Sequence, residues 1–344
     1  MEVAQHHKQF MQRAIELAKL GKGQVSPNPL VGCVIVHDGK IIAEGWHKKF
    51  GAAHAEVNAI NALAAKSILS QCTVYVNLEP CSHQGKTPPC ADLLIKHQVK
   101  QLVVANTDPN PLVAGAGIQK LKDAGVNVIE NVLRDEGLHL NRRFFTYMQK
   151  QRPYIILKWA QTADGFIARN DFSSKWISNE LSRQLVHKWR SEEDAVMVGT
   201  NTARHDNPQL NVRLWQGRNP VRVVVDKKLS LPENLHVFDK SQPTLCYNLS
   251  KQSQAHNLEY VKLDNVDFTE SLLRDMHQKG IQSVIIEGGA ALLNDLINNG
   301  FWDEARVFIS KNKFENGINA PALVVDVAHK SAVGDDILNI YYHK

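Results

Sequence analysis

His54, Cys81 and Cys90 are three soft-metal donors carried on two separate stretches, His54-Ala55-Glu56 and PCSHQGKTPPC (80 to 90), and a fold that uses them must bring those stretches together. Zinc takes imidazole and thiolate well, and a catalytic zinc keeps three protein ligands and leaves its fourth position to water. Glu56 is too near His54 in sequence to be a comfortable fourth ligand, yet well placed to exchange protons with such a water. The competing reading is a closed structural zinc, for which His83 is the available fourth ligand. A carboxylate beside the ligating histidine serves a general base and nothing structural, which favours the catalytic reading. Cys33, inside the apolar run VGCVIV, reads as core; Cys72 and Cys246 have no partner at metal-ligand spacing and read the same way.

At 344 residues the chain exceeds one ordinary domain and suggests two. With 43% hydrophobic and 22% charged residues it is globular in composition. The net charge of +5 is mild and spread out. The densest basic group, Arg142-Arg143 through Lys150 to Arg152, reads as a solvated helix and linker, and a nucleic-acid stripe would need clustering; phosphorylated small molecules fit this charge balance as well as nucleic acid does. No apolar stretch approaches the ~18 residues of a membrane span, and no secretory segment is visible, so no membrane partner and a cytoplasmic location are expected. Five cysteines, three of them assigned to metal, argue against a disulfide framework.

Apolar spacing predicts an amphipathic helix from about His7 to Leu20. LVGCVIV and KIIAEG follow, joined by Asp38-Gly39 as a hairpin. Helices at about Ala55 to Ala65, Cys90 to His97 and Ile118 to Ala124 then alternate with strands TVYVNL, QLVVAN and VNVIE, which is α/β layering. His54, Glu56, Cys81 and Cys90 thereby fall at strand ends and helix starts, where partial positive charge favours thiolate. A polar helix is expected from Leu133 to Tyr147, then a boundary that divides the chain into 1–150 and 151–344.

The second half restarts the layering with YIILKWA, DAVMVG, VRVVVD, TLCYN, SVIIEGG and EARVFIS, without a second metal motif. SVIIE runs into Gly288-Gly289 and the helix AALLNDLI, a junction whose free N–H groups suit a dinucleotide pyrophosphate. DAVMVG opens into the polar loop TNTARHDNPQLNVR at a strand's carboxyl end, where open α/β sheets place ligands.

H-x-E followed by P-C-x-x-C is the signature of zinc deaminases, but here eight residues, SHQGKTPP, separate the cysteines. That gap, with PNPLVG (27 to 32), GWHKKFGAAHAE (45 to 56) and DPNPLVAGAG (108 to 117), resembles the bifunctional riboflavin-biosynthesis enzymes. LKWAQTADGFIA (157 to 168), SKWIS (174 to 178), HKWR (187 to 190), GTNTARHDNPQLNVR (199 to 213) and EGGAALLNDLI (287 to 297) extend the resemblance through the second half. Thr162 stands where serine is commoner, Ala203 where valine is usual, and the stretch after Asp303-Glu304 departs from the usual ending.

The resemblance implies a cytidine-deaminase-like α/β/α domain followed by a dihydrofolate-reductase-like α/β domain. It implies zinc and NADPH as cofactors, a phosphorylated pyrimidine as substrate, and assembly into a dimer or tetramer. The first half would deaminate a diaminopyrimidinone ribosylamine phosphate, and the second would reduce its ribosyl group to ribityl. Glu56 is the expected proton carrier; Asn28, His83 and Lys86 are expected at the substrate, with Thr87, His47, Asn106, Asp108 and Asn110 as further candidates. In the reductase half Ala160, Trp176, Thr202, Asp206, Gly289, Ala290, Ala291, Leu292, Leu293, Asn294 and Asp295 would approach NADPH. Ser174, Arg190, Leu210, Arg213 and Glu287 would approach the substrate, the two arginines as a phosphate clamp. Lys158, Asp206 and Glu287 are candidate proton donors. The rival readings are a nucleic-acid or nucleoside base deaminase with an appended domain, and a zinc- and nucleotide-binding protein with one inactive half.

Overall fold

A computed structural model describes residues 2–83, 88–111, 114–173 and 177–343, which leaves Lys86, Thr87, Ser174 and Trp176 outside the described residues. The chain divides into two compact units, Met1–Lys150 and Gln151–Lys344.

The first unit runs α1 (Glu2–Lys19), β1 (Gly32–His37), β2 (Lys40–Trp46), α2 (Ala55–Asn61), β3 (Thr73–Leu78), α3 (Cys90–Lys96), β4 (Gln101–Asn106), α4 (Ala116–Asp123), β5 (Asn127–Ile129), α5 (Arg134–Leu140) and α6 (Arg142–Lys150). Its sheet has the order β2-β1-β3-β4-β5, with β3, β4 and β5 parallel and β1 antiparallel to both neighbours. Alternation explains the continuous apolar runs, because both faces are covered. Cys33, Ile35, Val74, Val76, Leu102 and Val104 face α2, α3 and α4, while Val34, Val36, Tyr75, Val103 and Ala105 face α1 and α5. At the hairpin, Asp38 (φ 48°) and Gly39 (φ 72°) both take the left-handed conformation that a two-residue turn needs.

Two helices differ from the sequence expectation. α2 stops at Asn61 rather than near Ala65. From Asn61 to Ser67 only Leu63 packs against the core, too little of an apolar face to hold another turn in place. The single helix expected from Leu133 to Tyr147 is two, broken at Asn141. The buried Asn141 amide accepts from Leu30 N–H (2.8 Å) and donates to Leu30 C=O (2.9 Å), which pins the break to the loop entering β1. Asn77 on β3 completes the clasp, accepting from Gly32 N–H (2.7 Å) and donating to Leu30 C=O (2.9 Å).

The second unit runs β6 (Tyr154–Gln161), β7 (Phe166–Ala168), α7 (Glu180–Glu192), β8 (Ala195–Gly199), α8 (Thr200–Asp206), β9 (Val221–Val225), β10 (Thr244–Asn248), β11 (Ser253–Ala255), β12 (Leu258–Lys262), α9 (Phe268–Gln278), β13 (Ser283–Ile286), α10 (Ala290–Asn298), β14 (Glu304–Ile309), β15 (Ile318–Asn319), β16 (His329–Val333) and β17 (Asp336–Tyr342). A ten-stranded sheet has the order β11-β12-β10-β9-β8-β13-β6-β14-β17-β16, parallel from β12 through β14; β7 and β15 form a separate pair. One apolar core carries Leu272, Leu273, Met276, Leu293 and Leu296 of α9 and α10, and the other carries Val186 and Trp189 of α7 with Ala203 of α8. The stretch that departs from the family ending folds back as the β16–β17 hairpin, antiparallel on β14. Its first strand is almost wholly exposed, so no alternation advertised it.

Asn141→Ala removes both bonds to Leu30 and strands a part-buried N–H, an expected loss of about 1–3 kcal/mol. Urea unfolding that leaves the variant's midpoint at the wild-type value would contradict this.

Candidate active sites

Sheet direction places the first site. β3 and β4 run parallel to β2, so their carboxyl ends share one edge with the start of β1. Around that edge lies a cavity of about 490 Å³ whose lining includes Asn28, His47, His54, Glu56, Glu79, Cys81, His83, Asp108 and Asn110. His54 caps α2, Cys81 follows β3, and Cys90 opens α3.

His54 Nδ1 lies 3.3 Å from Cys90 Sγ and 3.6 Å from Cys81 Sγ, and Cys90 N–H donates to Cys81 Sγ at 3.3 Å. Donors bound to one tetrahedral zinc at ordinary bond lengths stand about 3.6 Å apart, so the three fit that ion. No fourth His, Cys, Asp or Glu joins the group among the described residues, and His83 is exposed at the cavity wall. The closed structural site therefore lacks its fourth ligand. Hydrogen bonding from Cys90 and from His54 holds the Cys81 thiol far below its usual range, while Cys81 and burial drive its neighbour Cys90 up. The Cys81 contact raises His54. Glu56 is 3% exposed; burial, then the negative Cys81, raise its carboxyl above the ordinary value.

Around this centre, His47 takes one tautomer. Ala53 C=O only accepts, so His47 Nδ1–H donates to it (3.1 Å), leaving Nε2 to accept from the Asn28 amide (3.0 Å). Burial lowers the His47 pKa, in keeping with a neutral ring. Burial pushes Asp108 up to about 6, against the Asn110 N–H it accepts at 2.8 Å. Asn106 lies beneath α5, with its amide donating to Arg134 C=O (2.9 Å), and is not part of the cavity lining. Sequence reasoning missed Glu79 and the wall formed by Phe144, Tyr147 and Met148 of α6. The Glu-Pro pair directly ahead of Cys81 was a signal for the first; the wall had none, because α6 read as a solvated helix.

The second unit has a larger cleft, about 1090 Å³, at the carboxyl ends of β8, β9 and β13. Ala160, Thr202, Asp206, Glu287, Gly289, Ala290, Ala291, Leu292 and Asp295 line it, with Lys158 at its floor. α8 and α10 begin side by side there, tied by Gly289 N–H donating to Thr202 Oγ1 at 2.7 Å. A Cβ on Gly288 would lie 2.9 Å from Leu292 Cδ2 and 3.4 Å from Gly199 N, so a side chain there would have to displace the Leu292 methyl. Two expected contacts differ in kind: the side chains of Leu293 (0% exposed) and Leu210 (1%) are core, because each must fill the space under its own segment. Asn294 is exposed and does not line the cleft.

Arg190 is not poised as a free phosphate fork. Its Nε and Nη2 bond Glu287 at 2.7 and 2.9 Å, and its Nη1 donates to Asn211 C=O at 3.0 Å. The loop holding Leu210 and Arg213 is fastened residue by residue: Arg222 Nε to Gln209 C=O (2.9 Å), Gln242 to Leu210 C=O (3.3 Å), and Arg213 N–H to His187 Nδ1 (3.2 Å). The Arg213 guanidinium reaches Asn211 Oδ1 at 3.1 Å on an exposed part of that loop. Burial lowers the pKa of Lys158, partly offset by Glu287. Burial raises Glu287, but Arg190 outweighs it and holds the carboxyl at about 2.

Comparison with known proteins gives both sites a lineage. Residues 4–106 match the cytidine and deoxycytidylate deaminase zinc-binding region, and residues 153–310 match the RibD C-terminal domain. The chain is 39% identical over 338 residues, 95% of its length and 87% of the relative's, to the riboflavin biosynthesis protein RibD of Actinobacillus pleuropneumoniae. It is 39% identical to that of Aquifex aeolicus, covering 91% of this chain and 89% of the relative. A crystal structure from Thermotoga maritima, a diaminohydroxyphosphoribosylaminopyrimidine deaminase/5-amino-6-(5-phosphoribosylamino)uracil reductase, aligns over 98% of both chains with a TM-score of 0.90 at 38% identity. Acinetobacter baumannii RibD aligns with a TM-score of 0.91 at 35% identity, over 98% of this chain and 99% of that one. The units are thus a cytidine-deaminase-like domain and a dihydrofolate-reductase-like domain, the architecture of a bifunctional deaminase and reductase. The chain belongs to the RibD family of riboflavin biosynthesis, whose cofactors are zinc and NADPH.

Because the folded Glu287 carboxyl, at about 2, lies below its ordinary 4.5, the stability it contributes is present above pH 4.5 and is lost as pH falls from there toward 2. Over that window wild type should lose more stability than Glu287→Gln; parallel stability curves, measured by urea unfolding at stepped pH, would refute the assignment.

Proposed function

We propose that the first unit deaminates 2,5-diamino-6-(5-phosphoribosylamino)pyrimidin-4-one at its 2-amino group, and that the second reduces the ribosyl group of the product to ribityl. The observation that carries this is the three-donor cluster with buried Glu56 opening into a cavity sized for a small molecule. His54, Cys81 and Cys90 would hold the zinc, which when bound would supply water made acidic enough to act as the nucleophile. Glu56 accepts a proton from water, delivers it to the ring nitrogen and then assists ammonia to leave. Asn28, held by His47, and His83 are at the cavity wall to meet the pyrimidine, and Lys86 is assigned to the phosphate.

In the second unit NADPH supplies the hydride. Ala160, Thr202, Asp206, Gly289, Ala290, Ala291, Leu292 and Asp295 bind it, with backbone alone available at Leu293 and with Trp176 assigned to the same site. Arg213 attracts the substrate phosphate from its fastened loop, Ser174 and Leu210 contact the substrate, and Arg190 holds Glu287 ionised beside it. Of the candidate proton donors in the cleft, Lys158 and Asp206 remain, and the ionised Glu287 is the charge partner that partly offsets the burial of Lys158. The reading includes a small-molecule substrate rather than nucleic acid, a cytoplasmic setting and a homo-oligomer; no helix among the described residues is long and apolar enough to cross a membrane.

Incubation with the diaminopyrimidinone, with and without NADPH, separates the two steps: ammonia release should not need NADPH, and NADPH oxidation should follow it. Glu56→Ala should retain zinc and reductase activity while ammonia release falls by about 10²–10⁴-fold; brisk release from the zinc-loaded variant would remove Glu56 from its role. Arg213→Ala should raise the reductase KM about tenfold with kcat little changed. An unchanged KM would end the phosphate assignment.

A further inference from the structure

Glu79 joins the end of β3 to Pro80 and Cys81, and its side chain is 4% exposed. A buried carboxylate needs strong partners. Here they are four backbone N–H groups: Oε2 accepts from Asp108 (3.1 Å) and Gly115 (2.9 Å), and Oε1 from Gly117 (2.8 Å) and Ile118 (3.1 Å). The Glu79 N–H in turn donates to Asn106 C=O at 2.9 Å. One side chain therefore fastens both ends of the stretch 108–117 to the chain that bears a metal donor.

The contact is close on both sides. A Cβ on Gly117 would lie 2.1 Å from Pro80 C=O and 3.2 Å from Glu79 Oε1, so the first turn of α4 sits directly on Glu79-Pro80. The stretch it seats presents Asp108 and Asn110 to the cavity, on the same lining as Glu56 and Cys81. We propose that Glu79 is a positioning residue of the deaminase: it sets the distance between the metal donors and the wall bearing Asp108 and Asn110, and through that wall it governs substrate affinity rather than metal binding or the chemical step. This rests on the reading of His54, Glu56, Cys81 and Cys90 as the deaminase centre.

Glu79→Gln tests it. The amide keeps one acceptor oxygen and turns an NH2 toward two of the four N–H groups, so part of the wall is released without a change of volume. Ammonia release by the full-length zinc-loaded chain should show KM raised about tenfold with kcat within about threefold. Zinc content should match wild type, and so should NADPH oxidation on already deaminated substrate. Gly117→Ala, which pushes the same contact apart from the α4 side, should give the same KM signature and serves as the readout if Glu79→Gln does not fold. Wild-type KM in the folded variants overturns the proposal, as does loss of zinc or a fall in kcat at constant KM. Glu56→Ala run in parallel keeps the two ideas apart: if it still releases ammonia, the deaminase-centre reading has failed, whatever Glu79→Gln does.

Discussion

The peptide N–H groups at the start of a helix have no acceptor within the helix, and in a parallel α/β layer those starts gather at the carboxyl edge of the sheet. Both units depend on this. In the first, the edge brings His54 at the start of α2 and Cys90 at the start of α3 to Cys81 at the end of β3, where Cys90 N–H donates to the Cys81 sulfur. In the second, α8 and α10 start beside each other at the ends of β8 and β13, leaving a cleft with N–H groups along its wall. A helix start can also be met from within the protein, as Glu79 does for α4.

The metal donors were legible because their chemistry is local: a histidine, two cysteines and a nearby glutamate have few other uses at that spacing. The central strands were legible to within a residue or two because both of their faces are buried, so β3 and β4 coincide with TVYVNL and QLVVAN, whereas the peripheral β7, β11, β12 and β15 were not read. What failed to show was decided by partners remote in sequence. The break at Asn141 needs Leu30, and the β16–β17 hairpin needs the open edge of β14. Arg190 looked like a phosphate ligand until Glu287 was found in its fork.

The departures from the family pattern also acquire physical reasons. The Thr162 hydroxyl donates to Asp164 (2.5 Å) and accepts from Phe166 N–H (3.0 Å), work that any hydroxyl at the turn can do. Ala203 is 0% exposed inside the core beneath α8, where a smaller side chain is accommodated among Val196, Val198 and Leu210.

The Arg190–Glu287 pair has a consequence for how such a site changes. Glu287 immediately precedes the two glycines of the cofactor cleft, and Arg190 grips Asn211 in the loop that carries Arg213. A substitution that retunes the cleft for another dinucleotide therefore disturbs the loop as well, and one that reshapes the loop strands a buried charge beside the cleft. Cleft and loop are mechanically wired together through Arg190, so lineages that alter one should carry compensating changes in the other.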